Sequence, residues 1–198
     1  MAERETLYGK TPEELAALCS GLGMPRFAAR QIARWLYVRH TEDPLLMTDI
    51  AAAHRQRLAD AFAPALSAPE RVTESADGTK KYLFRISGGH FIESAYIPDG
   101  ERATLCVSSQ AGCRMGCRFC ATGRQGLQRS LTTAEILNQI VSLPERNKLT
   151  NVVFMGMGEP LDNTGEVLRA LEILTAEWGF GWSPTRITLS TAGVVPEL

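Results

Sequence analysis

The chain has 198 residues, 44% of them hydrophobic and 22% charged, with a formal net charge of −1. This is the composition of an ordinary soluble globular protein of one or two domains. No apolar run approaches the length of a membrane span, and the start Met1-Ala2-Glu3-Arg4-Glu5 lacks the basic and hydrophobic regions of a signal peptide, so a cytoplasmic protein with reduced thiols and no membrane association is expected.

The N-terminal third reads as helical. Thr11-Pro12-Glu13-Glu14 is a capping box with proline at the first helical position, and Gly21 or Gly23 ends the helix. Cys19 falls inside this helix and reads as a small buried hydrophobe. A second helix is predicted from about Arg26 to Arg39, with Ala28, Ile32, Trp35 and Leu36 on one face. Arg26, Arg30 and Arg34 form a basic stripe on another face, which suits either a phosphate backbone or plain solvation. A third helix is predicted over Met47 to Phe62, ending before Pro64.

Beyond Pro69 the pattern changes to alternation. Val72 to Ser75, Lys81 to Ile86 and Phe91 to Ile97, joined at Asp77-Gly78 and Ser87-Gly88-Gly89, predict a small antiparallel meander. An Asp99-Gly100 turn leads into the strand Ala103 to Ser108. Strands and helices then alternate: a helix capped by Thr132-x-x-Glu135, the strand Val152 to Met155, a helix about Glu166 to Glu177, and the strand Arg186 to Ser190. That order predicts βαβ units and a parallel sheet.

Between these strands lies Cys113-x-x-x-Cys117-x-x-Cys120, three of the five cysteines, with Cys106 nearby. A short loop can wrap three thiolates around a cubane iron–sulfur cluster and leave its fourth iron open for chemistry. Structural zinc is the rival, but it usually takes two well-separated Cys-x-x-Cys-like pairs, and so compact a loop disfavours a disulfide. The spacing therefore favours iron–sulfur. From Arg102 to Ala134 there is no Asp or Glu, while Arg102, Arg114, Arg118, Arg124 and Arg129 all lie there, so the loop is locally electropositive and suits an anionic substrate; any one of these arginines could equally be a solvated surface residue. Further on, Met155-Gly156-Met157-Gly158-Glu159-Pro160-Leu161 follows a strand, where α/β folds place ligands. Its glycines allow close backbone approach to a ligand, and its carboxylate can accept hydrogen bonds from an amine or a ribose. It fails as a dinucleotide fingerprint because Leu161 stands where the third glycine is required.

The cysteine triplet with Phe119 before its last member, together with the Gly158-Glu159 pair after the next strand, resembles the radical S-adenosylmethionine superfamily. Arg102 to Gln110, Asn151 to Leu161 and Ile187 to Pro196 are similar to the RlmN/Cfr adenine methyltransferases, and the resemblance extends over nearly all of residues 8–198. It implies an α/β fold: a helical accessory, RNA-binding domain at 1–68, an antiparallel β segment at 69–100, and the first half of a partial (β/α)6 radical barrel at 101–198.

The same resemblance implies two cofactors, a [4Fe–4S] cluster and S-adenosylmethionine. The implied reaction is methylation of adenine C2 in 23S ribosomal RNA at the peptidyl-transferase centre, and in tRNA next to the anticodon. This carbon lies between two ring nitrogens and is too electron-poor to attack a sulfonium methyl, so a 5′-deoxyadenosyl radical is needed. In the family a methylated cysteine near the C-terminus carries the new carbon. Cys113, Cys117 and Cys120 match the cluster ligands, and Gly158, Glu159 and Ser190 match contacts to S-adenosylmethionine. Cys106 matches the resolving cysteine and Glu93 the proton acceptor; read without the family, Glu93 is an outward strand residue and Ser190 a strand end. The resemblance further implies an electron donor such as flavodoxin and a monomer. Because the chain stops at Leu198, none of its five cysteines is available as the methyl carrier, and methylation by these 198 residues alone is not expected. Methylation of C8, as in the Cfr branch, and a non-catalytic metal- or RNA-binding fragment are the alternatives.

Overall fold

A computed structural model of the protein describes residues 4–194. The first three residues and the end of the Ile187 to Pro196 stretch, from Val195 onward, lie outside them. Two compact units emerge: residues 1–66 with 170–182, and residues 67–169 with 183–198.

In the first unit, α1 (Pro12–Gly21) carries the expected capping box, the Thr11 hydroxyl accepting from the Glu14 amide and the Glu14 carboxylate accepting from the Thr11 amide. Cys19 is fully buried in this helix, as read from the sequence. The second helix is shorter than expected. Its α-helical part, α2, spans Ala28–Ala33 and widens into a π-helical stretch over Arg34–Val38. The wider turn accompanies burial of the adjacent Leu36 and Tyr37, which a regular helix would turn 100° apart. Tyr37 donates its hydroxyl hydrogen to the Lys10 carbonyl and stacks edge-on against Tyr8 and Trp178. Arg26, Arg30 and Arg34 are all exposed.

The third helix, α3 (Ala52–Ala61), begins five residues later than predicted. The preceding segment is held in a turn by its contacts with the π-helical stretch and α2: the Asp49 carboxylate accepts from Trp35 Nε1 at 2.5 Å and its carbonyl from Gln31 Nε2 at 2.8 Å. A helix through 47–51 would break both.

The second unit is built on one six-stranded sheet. Its strands are β1 (Arg71–Glu74), β2 (Lys80–Arg85), β3 (Phe91–Asp99) and β4 (Arg102–Cys106). After the short pair β5 (Gln110–Ala111) and β6 (Arg129–Ser130), which embraces the five-residue helix α4 (Ala121–Gln125), come α5 (Thr133–Val141), β7 (Asn151–Phe154), α6 (Thr164–Thr175), whose residues from Ala170 on belong to the first unit, and β8 (Ile187–Leu189). The sheet order is β1-β2-β3-β4-β7-β8. β1 to β4 are antiparallel neighbours, whereas β7 and β8 join parallel to β4. The meander and the βαβ units are thus one continuous ladder.

Alternation gives this sheet two different faces. Tyr82, Phe84, Ile92, Leu105, Val152 and Phe154 are buried on one of them. There α5, amphipathic and capped by Thr132 and Glu135, contributes Ile136, Leu137 and Ile140 to the core. Gln139 of α5 is fully buried: it accepts from the Ser94 hydroxyl (2.7 Å) and the Ser108 amide (2.8 Å), and donates to the Ser108 carbonyl (2.9 Å). This one amide ties β3 to the chain leaving β4. Replacing Gln139 by Leu should lower stability by about 3 kcal/mol, because three buried polar groups lose their partner; urea denaturation would show a lower midpoint at unchanged slope.

Candidate cofactor and active site

The other face of the sheet is the open one. Ala95 pairs with Cys106 across β3 and β4, Cys106 with Val153, and Val153 with Thr188. Paired residues point the same way, as do residues two apart, so Glu93, Cys106 and Ser190 belong to this single face. Glu93 is exposed on β3, with Lys81 Nζ at 2.9 Å from its carboxylate. An open cleft of about 540 Å³ lies beside it, lined by His90, Phe91, Thr122, Gln125 and Met157 among others. Cys106 is the half-buried last residue of β4; burial pushes its thiol pKa up, partly offset by the Met155 amide. Ser190 is exposed just past β8.

The cysteine loop rises from the C-terminal side of this sheet. The ladder of β5 and β6 closes its base, with added bonds from the Cys113 amide to the Gly126 carbonyl and from the Gln128 amide to the Ala111 carbonyl. Gly112 permits that closure: its φ is +77°, and a Cβ there would lie 1.8 Å from the Gly126 oxygen. Cys113 is buried, while Cys117 and Cys120 are half-buried. Burial pushes the Cys113 thiol pKa up, and charge on Cys117 and Cys120 pushes the same way, so both of those sulfurs are within electrostatic reach of Cys113. The Gly123 amide holds the Cys120 thiol down despite some burial, helped by the amide and hydroxyl of Thr122 and by Arg124.

These are suitable donors for an iron–sulfur cluster, whose sulfurs are commonly stabilised by hydrogen bonds from the protein. Among the described residues no three His, Cys, Asp or Glu side chains are grouped to hold a single metal ion; a cubane takes one thiolate at each of three irons instead.

Gly156 and Gly158 allow a close approach of backbone to backbone. A Cβ at Gly156 would sit 2.7 Å from the Ser108 hydroxyl and the Val107 carbonyl, and one at Gly158 2.6 Å from Gln110 Cβ. The strap after β7 is bare because it packs against the segment between β4 and the cysteine loop. The Met157 carbonyl accepts from the amides of Ser109 (2.8 Å) and Gln110 (3.1 Å), and its amide donates to the Ser108 hydroxyl (2.8 Å). Glu159 is buried. Its carboxylate accepts from the Leu161 amide (3.1 Å), the Thr191 hydroxyl (2.5 Å) and the Ala192 amide (2.9 Å), so it anchors the turn after β8.

Sequence reasoning missed the polar groups that hold this arrangement together, chiefly Gln110, Asp162 and Asn163. Gln110 is fully buried, accepts from the Glu159 amide and donates to Asp162 and Ser130. The Asn163 side chain donates to the carbonyls of Ser109 and Leu131. Nothing in their spacing marks them; they bond across 20 to 54 residues of chain. The arginines also divide. Arg114 pairs with Asp162, Arg129 with Glu135, and Arg102 donates to the Asn151 side chain. Arg118 and Arg124 are exposed. The local positive charge is therefore smaller than the sequence suggests.

The chain matches the radical SAM superfamily model over residues 107–198 and the N-terminal domain model of ribosomal RNA large subunit methyltransferases over residues 6–63. It is 57% identical over 188 residues to a probable dual-specificity RNA methyltransferase RlmN of Bacteroides fragilis, covering 95% of this chain and 55% of that protein. It is 48% identical over 197 residues to the dual-specificity RNA methyltransferase RlmN of Geotalea uraniireducens, covering 99% and 57%. The crystal structure of a radical SAM methyltransferase from Sphaerobacter thermophilus superposes with a TM-score of 0.86 at 41% identity, over 97% of this chain and 58% of that one. The chain thus spans about half the length of the curated relatives it matches.

Two predictions follow from the site's packing and charge. Gly158→Ala should cost about 2 kcal/mol or more, since φ is +98° and the added methyl meets buried Gln110; thermal melting would register it. In metal-free protein, the lowered Cys120 pKa and the raised Cys106 and Cys113 pKa values mean that Cys120 ionises first as pH rises. Iodoacetamide labelling read by mass spectrometry should therefore modify Cys120 at lower pH than the other two. With a cluster loop, a Gly-Glu strap and both family models in sequence order, the chain belongs to the RlmN family of radical SAM proteins.

Proposed function

We propose that the chain contributes the cluster site, part of the S-adenosylmethionine site and two reacting side chains to an RNA methyltransferase acting on adenine C2. The observation that carries this reading is the common open face of Glu93, Cys106 and Ser190 on a sheet whose strand β4 leads into a loop of three thiols. When bound, the cluster supplies the electron that opens the cofactor's sulfonium, making radical attack on an electron-poor carbon available.

Cys113, Cys117 and Cys120 would hold that cluster through three thiolates. The backbone at Gly158 and the buried carboxylate of Glu159 would face the cofactor's amine and ribose, with Ser190 completing the contact from the neighbouring strand. Glu93 would accept the proton leaving C2; its exposure on the cleft leaves it open to a nucleobase, and the Lys81 ammonium 2.9 Å away holds its carboxylate. Cys106 lies outside the loop, on the sheet. From there, without ligating iron, its thiolate would attack the sulfur of the methyl-carrying cysteine, forming an S–S bond as the S–C bond to the adenine adduct breaks and the released carbon takes up a proton to become the new methyl group.

The helical unit, with Arg26, Arg30 and Arg34 exposed on one side, would contact RNA phosphates, and Arg118 and Arg124 would add positive charge beside the cluster. The substrates on this reading are 23S ribosomal RNA and tRNA, and a small electron-transfer protein such as flavodoxin supplies electrons in a reducing, cytoplasmic setting.

Anaerobic reconstitution with iron and sulfide should yield a brown protein with about four irons per chain, as a single [4Fe–4S] cluster requires; Cys117→Ala should lose most of that iron, and a colourless zinc protein would refute the reading. In an enzyme preparation that methylates RNA and carries these residues, Glu93→Gln should reduce 2-methyladenosine in digested RNA by about 100-fold or more, the scale of general base catalysis. Nucleoside mass spectrometry would check this, and 8-methyladenosine in its place would assign the Cfr-type reaction.

A further inference from the structure

The cysteine loop could be held only at its base, where β5 and β6 close it, yet it has a second anchor. Arg114, the residue after Cys113, places Nε 2.8 Å from Asp162 Oδ2. That oxygen also accepts from Gln110 Nε2 at 2.9 Å, and Gln110 Oε1 accepts from the Glu159 amide at 3.0 Å. Asp162 in turn donates its own amide to the Glu159 carbonyl at 3.0 Å. Among the described residues this is the one ion pair made by any side chain between Gly112 and Gln128.

The acceptor is well placed to matter. The Asp162 side chain is 14% exposed, whereas that of Arg114 is 59% exposed. A largely buried carboxylate shared by two donors has a fixed position, and the arginine comes to it. Gln110 cannot yield either, being fully buried and in contact with the bare backbone at Gly158. The connected atoms thus run from the cysteine loop through Asp162 and Gln110 to Glu159, and from the Glu159 carboxylate to Thr191 and Ala192 after β8.

We propose that Arg114 and Asp162 form a positioning clamp that fixes the cysteine loop against the Glu159 strap, setting the spacing between the cluster and the site of S-adenosylmethionine. Neither residue touches a reacting atom. The three cysteines do not need the clamp to bind iron, since their own loop and hairpin remain. What requires it is the register between the loop and the strap, which also meet through the segment preceding the loop. The inference rests on the assignment of the cluster and of Glu159 given above.

Arg114→Met, which keeps the bulk of the stem and removes the charge, and Arg114→Lys, which keeps the charge, test the clamp in the reconstituted chain. Iron content, affinity for S-adenosylmethionine by equilibrium dialysis, and amide hydrogen exchange of residues 112–128 without cofactor are read in parallel. The Met variant should keep its iron, bind S-adenosylmethionine about three- to tenfold more weakly, the range set by a partly exposed ion pair, and exchange faster across the loop. Lysine should recover most of the loss. Unchanged affinity and exchange in the Met variant at full iron loading would overturn the clamp, as would iron lost in proportion to affinity, which would make the pair an assembly feature. Failure of the unsubstituted chain to take up iron would instead refute the cluster assignment, and the clamp with it; the loop exchange rates would then say only whether the pair holds the loop.

Discussion

Everything at this site depends on one backbone lying against another. The strap from Gly156 to Glu159 runs so close to residues 107–110 that side chains at two of its positions would overlap atoms already there. The Ser108 hydroxyl, the Met157 peptide and the Gln110 amide then satisfy the polar groups that the approach buries. Since residues 107–110 lead directly into the cysteine loop, and the strap carries Glu159, two chemically different binding elements share a single seam. A shift of the strap would have to strand buried hydrogen-bonding groups, and this is what makes the seam rigid.

Charge is managed along the same seam. A chain segment with no acidic residue over more than thirty positions would be a strong positive patch if all its arginines faced solvent, but Arg114 and Arg129 find carboxylates supplied from beyond that stretch. Arg118 and Arg124, exposed and with no carboxylate partner among the described residues, lie on the loop itself. The positive charge is thereby concentrated close to the three thiols, where an anionic substrate or cofactor would meet it.

Much of this was legible in the sequence because it is written locally. The capping boxes at Thr11 and Thr132, the turns at Asp77-Gly78 and Asp99-Gly100, the cysteine spacing and the Gly-Glu pair each need only a few adjacent residues to declare themselves. What was illegible is non-local. The late start of α3 depends on Asp49 serving the π-helical stretch and α2, the widened turn at Arg34–Val38 on burying two neighbouring side chains, and the roles of Gln110, Asp162 and Gln139 on partners brought in from distant elements. The glycines of the strap declare close approach by their spacing, but that residues 107–110 are what the strap packs against depends on chain some fifty positions away.

The unbroken ladder from the meander into the parallel strands has an evolutionary consequence. Glu93 and Cys106 face the same side only because the hairpin between β3 and β4 turns through Gly100 and Glu101, with Asp99 opposite Arg102. Adding or deleting one residue within β3 would send Glu93 to the helix-covered side and bring Ser94, with its bond to Gln139, out of the core. Length changes in this stretch are therefore tolerated in twos or absorbed in a bulge, and lineages with a single-residue indel there should show a compensating one before Cys106. The hairpin behaves as a parity check on the active face.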